Sequence, residues 1–104
     1  MKKFLGNAFS LQMLDLAVES NVAICPVTAA EVAESGAESV IGHADTANVV
    51  SSILGKEVPM NRVSVKLNPG DILYVAQVTG GRLPEGATTL PEGMEITFVK
   101  VMLS

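Results

Sequence analysis

The sequence predicts an α/β fold: one domain spanning residues 1–104, with a mixed β-sheet of about five strands flanked by helices. Three observations predict the fold. Strand-like and helix-like segments alternate in the first half, and strand-like segments run consecutively in the second, the pattern of a sheet with helices packed on it. A chain of 104 residues fits a single domain. Hydrophobic residues make up 48% of the chain and aromatics only 4%, so the chain is ordered and its core is built mainly from Val, Leu, Ile, Ala and Met.

Lys3 to Ala8 reads as a first strand ending at a polar turn. Ser10 is placed to cap a short helix over Leu11 to Val18, with Leu11, Leu14, Leu16 and Val18 giving a partly apolar pattern. Val22 to Val27 is rich in strand formers, and Pro26 marks it as an edge or exit. Thr28 and Glu31 fit a capping box, so a second helix runs from Thr28 to near Gly36. Ser39 to Gly42 is a short extended piece. A third helix follows His43, capped by Asp45 or Thr46, with Ala47, Val50 and Leu54 on its buried face and Gly55 past its end.

The second half is strand-rich. Arg62 to Leu67 alternates Val63 and Val65 with Ser64 and Lys66, which predicts a half-buried strand. Asn68-Pro69-Gly70-Asp71 is a turn, because Pro fixes φ and Gly supplies positive φ. Ile72 to Val78 is a central strand. Gly80 to Gly93 is a loop. Glu95 to Leu103 is the last strand, with Ile96, Phe98 and Lys100 on one face and Thr97, Val99 and Val101 on the other.

Composition excludes several functions. Seven Lys and Arg against eleven Asp and Glu leave a net charge of −4, which argues against long nucleic acid tracked along a basic face. A small phosphorylated ligand needs only a few focused cations. One cysteine, Cys25, permits no intramolecular disulfide and reads as buried filler. One cysteine and one histidine do not make a closed zinc site. No apolar run approaches a membrane span, and Asn7, Ser10, Gln12 and Asp15 interrupt anything resembling a leader, so a soluble, cytoplasmic protein is expected.

The groups able to act on an anion are therefore few: the single histidine, His43, and the two arginines, Arg62 and Arg82. His43 immediately precedes a helix, where free backbone N–H groups and the helix dipole favour an anion. An imidazole moves protons near neutral pH, and a guanidinium grips phosphate with a planar fork. The plainer alternatives are an exposed histidine and two solvated arginines. Asn7 and Ser10 have a plain reading too, as turn former and helix cap. A triad of Ser10, His43 and an Asp lacks any nucleophile-elbow pattern.

Four motifs occur in order: Asn7-Ala8-Phe9-Ser10-Leu11-Gln12-Met13-Leu14, Ile41-Gly42-His43 with Asp45-Thr46, Asn61-Arg62-Val63-Ser64-Val65-Lys66, and Arg82-Leu83-Pro84-Glu85-Gly86. Together they resemble the viral anti-CRISPR ring nucleases, a family once filed as a domain of unknown function and also found in some bacteria. The resemblance spans most of the chain. It implies a homodimer that binds cyclic tetra-adenylate, the second messenger of type III CRISPR defence, across its two-fold axis. It implies cleavage without metal or cofactor to linear di-adenylate carrying a 2′,3′-cyclic phosphate. His43 matches the family's general acid, and Glu85 matches the glutamate that orients or tunes it. Arg62 and Arg82 match its ligand-binding arginines, Asn7 and Ser10 its asparagine and serine, and Gln77 its glutamine, one residue further away here because of Gly80-Gly81. The resemblance assigns no general base. If the protein is viral, its place is the host cytoplasm. Many members carry a helix before the last strand, and Ala87 to Glu95 is too short and too rich in Pro and Gly for one. The alternatives are a non-catalytic module that sequesters cyclic oligoadenylate and a small structural or interaction domain.

Overall fold

The computed structural model describes residues 1–104. Its elements are β1 (Lys3–Gly6), β2 (Val22–Pro26), α1 (Ala29–Glu34), β3 (Glu38–Ser39), α2 (Ala44–Leu54), β4 (Ile72–Thr79) and β5 (Glu95–Leu103). They form one five-stranded mixed sheet in the order β2-β5-β4-β1-β3. β1 is parallel to both β3 and β4, whereas β5 is antiparallel to β4 and to β2. The α/β class and the five strands therefore stand as the sequence predicts.

The sheet is covered on both faces, which is why its central strand is apolar at consecutive positions. Tyr74 and Ala76 of β4 point to the face covered by α1 and α2, where they meet Leu5, Val32, Ile41, Val50 and Phe98. Leu73 and Val75 point the other way and pack with Phe4, Leu14, Val40, Leu67, Val101 and Leu103. Lys100 joins the helical face by pairing with Glu31 of α1 at 3.4 Å. Thr28 caps α1, its hydroxyl accepting the Glu31 N–H at 3.1 Å. Gly55 ends α2 in the left-handed conformation, at φ 70°.

The segment opposite the helices departs from expectation in two places. The expected helix over Leu11 to Val18 is a single 3-10 turn, Leu11–Met13, after which Leu14 is extended. The Asp15 carboxylate takes the Ala17 N–H at 3.1 Å, a local turn that competes with helical bonding. Of the supposed apolar stripe only Leu14 is buried, while Leu11, Leu16 and Val18 are exposed. Arg62 to Leu67, expected as a strand, joins no ladder. Its ends are pinned by Asn61 N–H to the Ile41 carbonyl at 2.8 Å and Leu67 N–H to the Met13 carbonyl at 2.7 Å. The strand it would have to pair with, β3, is only two residues long. Smaller differences follow. β1 stops at Gly6, and the extended piece near Ser39 is Glu38–Ser39. Cys25 is half-buried on the edge strand β2 rather than core filler.

Candidate functional site

Three parallel strands deliver their following residues to one end of the sheet. β1 leads into Asn7, β3 into the run ending at His43, and β4 into Gly80-Gly81-Arg82. β1 neighbours β3, and the segment after β1 packs Leu14 on one face of the sheet while α2, after β3, packs on the other, so the chain leaves these two strands to opposite faces. A crevice beyond the carboxyl ends of parallel strands at such a switch is where open α/β sheets take ligands. The topology thus gathers residues that are far apart in sequence.

His43 is the N-cap of α2, with φ −129° and ψ 127°, and its side chain makes no capping hydrogen bond. Asp45 and Thr46, expected as caps, lie inside the first turn instead. The exposed imidazole is thus free beside a helix start whose N–H groups and dipole favour negative charge. His43 and Arg82 line one open cavity of about 420 Å³, with Asp45, Thr46, Val78, Gly81 and Leu83. Arg62 lies beside this place. A Cβ on Gly42 would stand 3.3 Å from Arg62 Cγ, so the arginine stem runs across the glycine preceding His43. Asn61 fixes that crossing. Its side-chain amide donates to the Ser39 carbonyl at 2.9 Å and its backbone N–H to the Ile41 carbonyl.

Glu85 is exposed on the same loop as Arg82, in the turn closed by the Ala87 N–H and the Pro84 carbonyl at 3.1 Å. It makes neither hydrogen bond nor ion pair with His43, and the loop touches α2 instead through Gly86 N–H and Asp45 Oδ1 at 3.0 Å. Ser10 serves as a cap, its hydroxyl accepting the Gln12 N–H at 3.2 Å, and it lines a second groove of about 390 Å³ with Gln12, Met13, Ser64 and Lys66. Asn7 is half-buried just past β1. Gln77 is exposed on β4, on the face of Leu73 and Val75 and opposite Val78, which lines the His43 cavity. Of the seven site residues, His43 and Arg82 line one groove and Ser10 lines the other, while Arg62, Asn7, Gln77 and Glu85 line neither. A larger hollow of about 570 Å³ around Leu14, Leu16 and Lys66 contains none of them.

Three residues to which sequence reasoning gives no part in the site hold this arrangement. Asn61 straps Arg62 to β3, Asp45 ties down the Arg82 loop, and Lys66 fastens the Ser10 turn by donating to the Gln12 carbonyl at 2.6 Å. Each stands inside one of the four motifs, and that membership is the one sign the sequence offers.

Fold and site define a small α/β domain whose cationic and imidazole side chains gather beyond the carboxyl ends of its parallel strands. Residues 3–101 match the family described as STIV B116-like, and the chain belongs to that family. B116 of Sulfolobus turreted icosahedral virus has a solved structure that superposes with a TM-score of 0.77 at 28% identity, covering 98% of this chain and 99% of that one. ORF117 of Acidianus two-tailed virus is 46% identical over 68 residues, which are 60% of this chain and 57% of that relative. The match thus spans little more than half of ORF117. Both of these relatives are viral proteins. No helix of this chain is long and apolar enough to cross a membrane.

Proposed function

We propose that the protein is a homodimeric ring nuclease that cuts cyclic tetra-adenylate into linear di-adenylate with a 2′,3′-cyclic phosphate, and so shuts off type III CRISPR signalling. The observation that carries this reading is that His43, uncapped at the start of α2, and Arg82, delivered by β4, line one open cavity, with Arg62 crossing Gly42 beside it.

The chemistry needs no metal and no cofactor. The ribose 2′-OH attacks its neighbouring phosphorus, the phosphorus–O5′ bond breaks, and the 2′,3′-cyclic phosphate forms. Imidazolium His43 gives its proton to the departing O5′, while the 2′-OH proton passes to solvent. General acid catalysis of this kind is worth about 10²–10⁴-fold. Arg62 and Arg82 hold phosphate oxygens and offset the charge that builds there. The helix start contributes its free N–H groups. Glu85, Asn7, Ser10 and Gln77 are assigned to orienting His43 and seating the ring.

A dimer supplies what one chain lacks. Two copies present two histidines and four arginines to a ring of four phosphates, and a C₂ protein shares a two-fold axis with such a ring. The two grooves of each chain then belong to one composite pocket, and opposite phosphates meet the two copies of His43. The ring is cut in half rather than trimmed. The negative exterior, at a net charge of −4, discourages bulk RNA.

A second reading is a module that sequesters the ring without cutting it. The lack of a hydrogen bond or ion pair between Glu85 and His43 favours it, because binding needs only the arginines. One experiment decides between the two. Wild-type protein and a His43→Ala variant are incubated in EDTA with radiolabelled cyclic tetra-adenylate. Cleavage by wild type alone supports the nuclease. Tight binding without cleavage by either supports the sequestering module, and no binding by either overturns both.

A further inference from the structure

The loop from Gly80 to Gly93 carries Arg82 and Glu85 and is pinched at its base. A Cβ on Gly80 would stand 2.7 Å from the Gly93 carbonyl oxygen. Beyond the base, its side-chain hydrogen bonds to the body both come from α2. Asp45 Oδ1 accepts the Gly86 N–H at 3.0 Å, and Ser52 Oγ donates to the Thr88 carbonyl at 2.6 Å. Asp45 and Ser52 are seven positions apart, two helical turns, and so lie on one face of α2.

The Asp45 contact falls at a telling place. Pro84-Glu85-Gly86-Ala87 is a turn closed by the Ala87 N–H to the Pro84 carbonyl, with Gly86 at φ 80° in its third position, as a type II turn requires. Asp45 therefore holds the amide immediately after Glu85. The same side chain lines the cavity of His43 and Arg82, two residues from the imidazole. A carboxylate facing a site meant for phosphate opposes binding by like-charge repulsion. Its presence calls for a task that offsets this. Its position in the first turn of α2 is favourable through the helix dipole, and the Gly86 N–H engages part of its charge.

We infer that Asp45 is a positioning residue: its carboxylate latches the 80–93 loop onto α2 and so sets Arg82 and Glu85 in register with His43. The latch rests on the ring-nuclease reading for its consequence, though not for its existence. Because α2 carries both the histidine and the latch, one rigid element fixes the acid and the loop relative to each other.

The test compares wild type with Asp45→Ala and Asp45→Asn, whose amide oxygen can still accept the Gly86 N–H. Exchange of the Gly86 amide is read by NMR, single-turnover cleavage with radiolabelled cyclic tetra-adenylate, and global stability by thermal melting. Asp45→Ala is expected to speed Gly86 exchange about fivefold or more through the lost hydrogen bond. It is expected to slow cleavage about ten- to a hundredfold through misplacement of the loop. Asp45→Asn restores both, and the melting temperature of each variant stays near that of wild type. Unchanged cleavage in Asp45→Ala, or an Asn variant as slow as the Ala variant, overturns the positioning role. A wild type that does not cleave overturns the nuclease reading and the positioning role with it, while the Gly86 exchange rate still decides separately whether the latch exists.

Discussion

Arg62 lies across Gly42, its Cγ 3.3 Å from where a Cβ would stand on that glycine. The relationship joins two motifs twenty residues apart and places an arginine stem directly before the histidine. Gly42 is not in a left-handed conformation, so an alanine there meets a steric demand and no backbone strain. The arginine stem must give by a few tenths of an ångström, and its guanidinium moves further. Gly42→Ala is therefore expected to weaken binding of cyclic tetra-adenylate severalfold, with a stability change of less than about 1 kcal/mol because the residue lies outside the core. Calorimetric titration beside a denaturant melt checks this. Unaltered affinity would remove Arg62 from the ligand.

Arg82 stands in the His43 cavity and should behave as a fork rather than a point charge. Arg82→Ala is expected to cost about 1.5–3 kcal/mol of binding, the range for hydrogen bonds to charged groups. Arg82→Lys keeps the charge but loses the planar donor pair, so it should recover only part of the loss. Filter binding at fixed salt in a His43→Ala background, expected on the ring-nuclease reading to leave the ring uncut, separates the two effects. Full recovery by lysine would show that only charge matters.

The fold has its own buried carboxylate, Asp71, 4% exposed. Its two oxygens accept the Lys2 N–H and the Asn68 N–H, each at 2.9 Å, tying the start of β1 to the turn before β4. Hydrogen bonds from Asn68 and then Lys2 hold its pKa below the usual carboxylate value, outweighing the burial that opposes them. A folded pKa below the unfolded one means that the carboxylate's contribution is complete above the unfolded value, near 3.9, and is lost as pH falls through the folded value. Denaturant melts from pH 7 to pH 2 should show wild-type stability falling below about pH 4, and Asp71→Asn showing a shallower fall. Asp71→Ala leaves both N–H groups without their acceptor and should cost about 1–3 kcal/mol at pH 7. Parallel pH profiles for wild type and Asp71→Asn would assign the acid sensitivity elsewhere.

What the sequence made legible follows from how local each cause is. β4 and β5 were readable because an apolar run between turn residues means a covered strand whatever lies beside it, and Thr28 and Gly55 because capping is decided within a few residues. Leu11 to Val18 was misread because one Asp15 side-chain bond overrode a loose apolar pattern. Arg62 to Leu67 was misread because strand pairing needs a neighbour, and alternation does not show that β3 is too short to be one. The histidine and arginines could be picked out by scarcity alone. That His43 and Arg82 share a cavity while Ser10 lines another depends on strand order, which periodicity does not contain.

Gly80 and Gly81 look interchangeable in sequence and are not. Beside Arg82, either could let backbone approach a ligand closely. Gly80, at φ 95°, instead makes room for the chain itself, since its Cβ would stand 2.7 Å from the Gly93 carbonyl oxygen and 3.1 Å from Met94 Cα. Gly81, at φ 137°, has nothing within 4 Å of such a Cβ. Gly81→Ala therefore incurs backbone strain alone, about 1–3 kcal/mol. Gly80→Ala incurs that strain and also a clash with backbone atoms that cannot rotate away, so the base of the loop must open. Gly80→Ala should be the more destabilising of the two in denaturant melts. It should also lose cleavage of cyclic tetra-adenylate beyond what its stability explains, because Arg82 is two residues from the opened base. Equal stability costs for the two variants would mean that the pinch at Gly93 does not hold the loop.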